Sequence, residues 1–145
     1  MLGKYLKDNT AFLDEVSTWE ESIKVAADPL LKKGFISQAY ITDMIENVNI
    51  NGSYIVIVPG IAMPHAKNEG GVIKTSISFL KLEKPVVFPG NKEVTILIVL
   101  AAEDSTGHLD LISDISSILI DDDIMSKLND ATTEDELMSV IQMVE

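Results

Sequence analysis

The run Val94-Thr95-Ile96-Leu97-Ile98-Val99-Leu100 is apolar at every position except Thr95. A continuous apolar run of this length, rich in β-branched residues, is typical of a central strand covered on both faces. Such a strand requires helices on both sides of its sheet. The run therefore predicts a layered α/β (α+β) protein built around this strand.

The segments before this run supply further strands and helices. Strand patterns cover residues 54–58, 75–80 and 85–88, and Pro89-Gly90-Asn91 predicts a turn before the central strand. Helical periodicity covers residues 19–33, where Pro29 is expected to kink or break the helix, and resumes after Ser37. Residues 49–53 have the composition of a turn.

The segments after the central run are helical. Helices are expected from about residue 107 to 119, from 121 to 128 and from 133 to 144. The order of elements predicts a single domain, 1–145, with a mixed sheet of about five strands and helices on both faces. Short connections between the middle strands favour mixed pairing over a doubly wound parallel sheet.

Composition excludes several kinds of chemistry. The 145 residues contain no cysteine and no arginine, and 23 acidic against 11 basic residues give a net charge of −12. Disulfides and thiolate chemistry are therefore excluded, and nucleic acid is an unfavourable partner for so acidic a chain. Any bound phosphate must rely on lysine, histidine, hydroxyl groups and backbone amides.

The sequence also predicts the compartment of the protein. The N-terminal residues lack a long apolar segment of the signal-peptide kind. No apolar run approaches the roughly 20 residues of a membrane span. A cytoplasmic protein without direct membrane contact is expected.

The loop Pro59-Gly60-Ile61-Ala62-Met63-Pro64-His65-Ala66-Lys67 follows the first strand pattern. Its two prolines restrict the backbone on both sides of the turn, and Pro64 favours an extended Met63. A rigid loop would hold the His65 imidazole in a fixed orientation, with the Lys67 cation two residues away in the sequence. Because imidazole can act as a nucleophile or a proton shuttle, His65 is a candidate catalytic residue. The alternative is that His65 is a solvated or structural residue with no chemical role.

The second histidine, His108, follows the central strand at a predicted helix start. Strand ends are where sites in α/β sheets form, so His65 and His108 are expected to be neighbours. A helix N-terminus favours an anion and disfavours protonation of an imidazole. Ser105 and Thr106 are candidates either for binding phosphate or for capping the helix.

Other sites have weaker support in the sequence. The two histidines have no HxxxH or HxH spacing for zinc, and Asp121-Asp122-Asp123 lacks the glycine and closing glutamate of a calcium loop. No nucleotide-binding glycine motif or nucleophile elbow occurs. No metal and no cofactor are predicted, and a metal-dependent hydrolase is kept as a minor alternative.

Three motifs in order resemble one family. They are residues 60–67, residues 107–112 (Gly-His-Leu-Asp-Leu-Ile) and residues 128–137 (Leu-Asn-Asp-Ala-Thr-Thr-Glu-Asp-Glu-Leu). Together they resemble the enzyme IIA domains of the bacterial phosphoenolpyruvate:sugar phosphotransferase system, in the fructose/mannitol-type superfamily. The form Pro-Gly-Ile-Ala-Met-Pro-His-Ala looks most like the L-ascorbate branch.

The resemblance implies a phosphoryl relay. His65 would accept the group from the histidine phosphocarrier protein and pass it to a cysteine of enzyme IIB, while the membrane component IIC is an indirect partner. His108 would stabilise the phosphoryl group or orient His65. The family often uses an arginine near the site; since this chain has none, Lys67 is the candidate substitute.

Partner contacts and a second function follow from the same resemblance. Ile61, Met63 and Pro64 are expected, with Ala62, to form an apolar docking rim beside His65, ordinary loop packing being the alternative. A homodimer is compatible with the sequence. Because members of the superfamily also act as phosphorylation-dependent signals, a regulatory binding module is the alternative function.

Overall fold

The computed structural model describes residues 2–104 and 109–145 of the chain. Helices in these residues are α1 (Leu2–Leu6), α2 (Trp19–Lys32), α3 (Gln38–Asn51), α4 (Leu109–Leu119), α5 (Asp122–Asp130) and α6 (Glu134–Gln142). Strands are β1 (Thr10–Leu13), β2 (Val56–Val58), β3 (Gly60–Ala62), β4 (Ser76–Phe88) and β5 (Lys92–Ala101).

The five strands form one mixed sheet in the order β1-β4-β5-β3-β2. The pairs β1/β4 and β3/β5 are parallel, whereas β4/β5 and β2/β3 are antiparallel. Strand β5 is the middle strand, as its apolar run predicts. The expected mixed sheet of about five strands is therefore confirmed.

Helices cover both faces of the sheet. Helices α2 and α3 pack on one face, where they share a core with Val94, Leu97 and Val99 of β5. Helices α1, α4, α5 and α6 contribute to a second core, which receives Ile96 and Ile98 from the same strand. From Ile96 onward, alternate side chains of β5 thus enter opposite cores, which explains why this part of its sequence is apolar throughout.

Helix α2 continues through Pro29, contrary to the expected kink or break. Proline lacks the amide hydrogen that an interior helical residue donates. Only the last turn of α2 follows Pro29, and the carbonyl oxygen of Pro29 itself accepts a hydrogen bond from the Lys33 amide at 3.3 Å. The helix therefore loses one hydrogen bond near its end and still reaches Lys32.

Helix α3 extends to Asn51, so the turn predicted at residues 49–53 begins later than residue 49.

The strand patterns at 75–80 and 85–88 belong to one strand, β4, and not to two. The pairing of β4 with β5 is irregular between Lys81 and Val86, and Pro85 lies in this interval. An irregularity tolerates proline because the local ladder needs no amide there.

Helix α1 and strand β1 lie in the N-terminal segment, for which the sequence pattern predicts neither a helix nor a strand.

Short polar side chains mark three helix starts that the sequence predicted. The Thr18 hydroxyl accepts a hydrogen bond from the Glu21 amide, and the Thr133 hydroxyl accepts one from the Glu136 amide. The Asp121 carboxylate accepts from the amides of Asp123 and Ile124. These bonds satisfy amides that have no partner within their helices. Asp121 is thus a helix cap.

Across residues 2–104 and 109–145, no helix is both long enough and apolar enough to cross a membrane.

Candidate functional site

His65 follows β3, which lies where the sequence pattern predicts a loop. The Met63 amide donates to the Ile55 carbonyl oxygen at 2.8 Å, and the Leu100 amide donates to the Pro64 carbonyl oxygen at 3.0 Å. The second bond joins the residue before His65 directly to the end of β5. The His65 segment therefore continues the line of β3 beside the end of β5, and backbone hydrogen bonds hold it in place.

One ring nitrogen of His65 is engaged by its own loop. Nδ1 lies 2.7 Å from the Met63 carbonyl oxygen. A carbonyl oxygen only accepts hydrogen bonds, so Nδ1 carries the hydrogen and donates it. In the neutral imidazole Nε2 then carries the lone pair. The loop thus selects the tautomer in which Nε2 is the nucleophilic nitrogen.

The His65 ring also packs against an aromatic side chain. The ring centroids of Tyr54 and His65 lie 5.7 Å apart, and the ring planes meet at 86°. Edge-to-face geometry of this kind is favourable for aromatic pairs. Tyr54 remains 45% exposed, so the pair lies at the protein surface. The contact restricts rotation of the imidazole about its Cβ–Cγ bond.

Tyr40 connects α3 to the segment on the other side of His65. Its hydroxyl donates to the Leu100 carbonyl oxygen at 2.7 Å and accepts from the Ala66 amide at 3.1 Å. The Ala66 carbonyl oxygen lies 3.3 Å from the same hydroxyl. Burial raises the pKa of Tyr40 to about 12, because a phenolate would be poorly solvated there. The hydroxyl is therefore neutral at physiological pH.

A cleft of about 370 Å³ opens beside these residues. We call it the His65 cleft; its lining residues are Tyr40, His65, Ala66, Lys67, Asn68, Leu100, Ala102, Glu103 and Asp104. Lys67 is exposed, and its side chain is the cationic group of the lining. The cleft thus places the His65 imidazole and the Lys67 cation on one surface, which also carries the acidic residues Glu103 and Asp104.

Asn68 and Glu103 tie the two walls of the cleft together. The Asn68 side-chain amide donates to the Glu103 carbonyl oxygen at 2.8 Å, while its oxygen accepts from the amides of Gly70 and Val72. The Glu103 carboxylate accepts from the Thr75 amide at 2.9 Å, and the Thr75 hydroxyl accepts from the Glu103 amide. These bonds hold the loop after Lys67 against the segment that follows β5.

The predicted site residues divide into two groups. His65 and Lys67 lie on the same cleft. His108, Ser105 and Thr106 lie outside the described residues. The chain leaves the described part at Asp104, which lines the cleft, and returns at Leu109, the first residue of α4.

The predicted docking rim requires a correction. Ile61 is 1% exposed and belongs to the second core, and Ala62 and Pro64 are buried. Ile61 and Ala62 are paired with β5 as part of β3, so their side chains enter the two cores on opposite faces. Met63 alone among the four is partly exposed. The alternative of ordinary packing is correct for the other three, Ile61, Ala62 and Pro64.

Sequence reasoning missed Tyr40, Tyr54, Asn68 and Glu103. The pattern Asn68-Glu69-Gly70-Gly71 contains a signal, since asparagine side chains often bond the backbone two residues on. Tyr40 was assigned correctly to a helix, but no local pattern shows where a hydroxyl at the end of a ring will reach. Tyr54 and Glu103 depend in the same way on contacts with distant segments.

Comparison with known proteins identifies the class. The family described as "Phosphoenolpyruvate-dependent sugar phosphotransferase system, EIIA 2" matches residues 4–144. The chain therefore belongs to this family, whose members are phosphotransferase components of the sugar phosphotransferase system. The family predicted from the three motifs is confirmed.

Particular relatives refine this result. The mannitol-specific cryptic phosphotransferase enzyme IIA component of Escherichia coli K12 is 35% identical over 142 residues, 97% of each chain. The ascorbate-specific EIIA component of the same strain is 35% identical over 130 residues, covering 88% of this chain and 84% of the relative. The crystal structure of a putative PTS IIA protein from Streptococcus mutans has a TM-score of 0.90 at 30% identity, over 97% of this chain and 92% of that one.

Proposed function

We propose that the chain is one enzyme IIA domain that carries a phosphoryl group on Nε2 of His65. The observation that carries this proposal is the 2.7 Å hydrogen bond from Nδ1 to the Met63 carbonyl oxygen. It leaves the lone pair on Nε2, and His65 lies on a cleft that also contains Lys67. Family membership supplies the reaction class, and the hydrogen bond at Nδ1 supports Nε2 as the attacking atom.

The transfer into the site needs no proton movement. Nε2 attacks the phosphorus of a phosphohistidine on the phosphocarrier protein, forming one N–P bond while the donor N–P bond breaks. The electron pair of the broken bond returns to the donor nitrogen. Nδ1 keeps its hydrogen throughout, bonded to the Met63 carbonyl oxygen. In the onward step a cysteine thiolate of enzyme IIB attacks the phosphorus, and the N–P electron pair returns to Nε2.

Positioning and charge stabilisation supply the catalysis in such a reaction. Lys67 is the cation for the phosphoryl oxygens in this arginine-free chain. His108, Ser105 and Thr106 are assigned to phosphoryl stabilisation on the strength of the sequence motif. The relay operates in the cytoplasm, with component IIC as the indirect membrane partner, and Met63 is the proposed apolar contact for partners.

L-ascorbate is the proposed carbohydrate, because the motif from Pro59 to Ala66 resembles the L-ascorbate branch of the family. The mannitol-type relative has the same 35% identity and matches more of this chain, 97% against 88%, so the ascorbate proposal rests on the resemblance of the motif alone. Presenting the phosphorylated protein to ascorbate-type and mannitol-type enzyme IIB separates them. Transfer to the mannitol-type partner alone would contradict the ascorbate assignment.

The test of the relay is phosphorylation by phosphoenolpyruvate, enzyme I and the phosphocarrier protein, followed by intact-mass measurement. Wild type is expected to gain one acid-labile, alkali-stable phosphoryl group, and His65→Ala none. His108→Ala is the matched histidine control: it is expected to be labelled more slowly, or to lose the group faster. Nitrogen NMR of the adduct should place phosphorus on Nε2.

Two results would contradict this assignment. Persistent labelling of His65→Ala would move the site elsewhere, and phosphorus on Nδ1 would contradict the role of the Met63 bond. A folded wild type that takes no label from an active donor would instead favour the regulatory binding module.

A further inference from the structure

The backbone on both sides of His65 is tied to a single residue, Leu100. The Leu100 amide donates to the Pro64 carbonyl oxygen, before His65. The Leu100 carbonyl oxygen accepts a hydrogen bond from the Tyr40 hydroxyl. The same hydroxyl accepts a hydrogen bond from the amide of Ala66, the residue that follows His65. Tyr40 thus closes a hydrogen-bonded ring around the residue that carries the imidazole.

We propose that Tyr40 is a positioning residue for phosphoryl transfer: its hydroxyl holds the His65 backbone in register with the end of β5. This inference rests on the proposed function of His65. The ring Nδ1 bond to Met63 orients the imidazole relative to its own loop. Tyr40 orients that loop relative to the sheet. Both are needed before Nε2 can lie in line with an incoming phosphorus.

The hydroxyl of Tyr40 is committed to these contacts. A tyrosine hydroxyl has one hydrogen, and the Leu100 carbonyl oxygen, at 2.7 Å, accepts it. The side chain is 1% exposed, and burial keeps it un-ionised. Although Tyr40 lines the His65 cleft, its hydrogen is used within the protein. The residue therefore acts through His65 and not on the phosphoryl group.

The Cβ atom and the backbone amide of Tyr40 lie close to Gly71. A Cβ added at Gly71 would lie 3.0 Å from the Tyr40 Cβ and 3.2 Å from the Tyr40 amide nitrogen. The Gly71 carbonyl oxygen accepts a hydrogen bond from the Ser37 amide at 2.8 Å, at the start of α3. The loop after the site thus approaches α3 so closely that only glycine fits without a shift. This close approach leaves little freedom for Tyr40.

The test compares Tyr40→Phe with Ser78→Ala. Phenylalanine keeps the buried ring and removes only the hydroxyl. The Ser78 hydroxyl is also buried and donates to a carbonyl oxygen, that of Ala26 in α2, at 2.6 Å. Both variants therefore lose one buried hydroxyl–carbonyl bond, and Tyr40→Phe also loses the bond from the Ala66 amide, so a somewhat larger decrease in Tm is expected for Tyr40→Phe. Helix α2 carries none of the site residues, so Ser78→Ala controls for lost stability.

Two measurements follow for each variant. The rate of phosphoryl transfer from the phosphocarrier protein is expected to fall about tenfold in Tyr40→Phe and to stay near wild type in Ser78→Ala. Nitrogen NMR of the unphosphorylated proteins should show a smaller Nδ1–H fraction for His65 in Tyr40→Phe alone. Because this second measurement needs no phosphorylation, it tests positioning even if the proposed function fails.

Wild-type rates and His65 signals in Tyr40→Phe would overturn the proposal, as would equal slowing in the two variants. Gly71→Ala is a second test variant, since its added Cβ would crowd the Tyr40 Cβ at 3.0 Å while the hydroxyl is retained. It is expected to alter the same His65 signals and to slow transfer. Unchanged His65 signals in a folded Gly71→Ala protein would also count against the proposal.

Discussion

The rings of Tyr54 and His65 meet at 86° with their centroids 5.7 Å apart. Tyr54 follows α3 by three residues, whereas His65 follows β3, so two separate segments form the pair. The Met63 carbonyl oxygen holds Nδ1 of the same imidazole. His65 is thus restrained by one ring contact and one hydrogen bond, and each restraint is testable by itself.

Removing the Tyr54 ring should slow phosphoryl transfer. Edge-to-face aromatic pairs contribute about 0.5–1.5 kcal/mol beyond their buried area, so Tyr54→Ala should reduce the transfer rate by roughly threefold to tenfold. Tyr54→Phe keeps the ring contact and is expected to behave as wild type. Rapid-quench measurement of phosphohistidine formation reports both. Equal rates in the alanine and phenylalanine variants would show that the ring contact has no role.

The stability of the protein should fall in strong alkali partly because of Tyr40. Burial raises its pKa to about 12 in the folded state, against about 10 for an unfolded tyrosine. Between these values the folded state keeps a proton that the unfolded state has lost. The free energy of unfolding therefore contains a contribution from Tyr40 that is complete below pH 10 and is lost as pH rises toward 12.

The size of this contribution is about 2–3 kcal/mol. Urea unfolding at several pH values between 9 and 12 measures it as the difference in slope between wild type and Tyr40→Phe. The phenylalanine variant has no group to ionise here, so its stability should decline less over this interval. Parallel curves for the two proteins would contradict the assigned shift.

Neighbouring residues at the end of β4 should respond very differently to truncation. Phe88 is 1% exposed, and its ring centroid lies 5.5 Å from that of Trp19, whereas Val87 is 49% exposed. Phe88→Ala should lower the free energy of unfolding by about 3–5 kcal/mol, and Val87→Ala by less than about 1 kcal/mol. Denaturant melts of the two variants check this. Similar losses for the two variants would contradict the burial of Phe88 in the core and the exposure of Val87 at the surface.

Much of the architecture could be predicted from local patterns. The apolar run at residues 94–100 predicted a doubly covered central strand, and β5 occupies that place with side chains in both cores. The predicted helix starts near residues 19 and 133 coincide with hydroxyl caps at Thr18 and Thr133. These predictions held because periodicity and capping depend on residues a few positions apart.

Strand β3 and the burial of Ile61 are features that local sequence patterns did not predict. Gly60, Ile61 and Ala62 lie between two prolines and resemble a loop, yet they form a short strand beside β5. Their pairing depends on a strand more than thirty residues away in the chain. Burial of Ile61 follows from that pairing, and no local signal distinguishes it from an exposed apolar residue.

By itself, the sequence determined which chemical groups this protein has and which family it resembles. His65 between Pro64 and Ala66, and a chain without arginine or cysteine, already restrict the site to imidazole, lysine, hydroxyl and backbone groups. Only the tertiary structure decided which imidazole nitrogen is available and which residues hold it. Met63, Tyr40, Tyr54 and Leu100 act through hydrogen bonds and ring contacts, which have directions and distances that exist only after distant segments pack together.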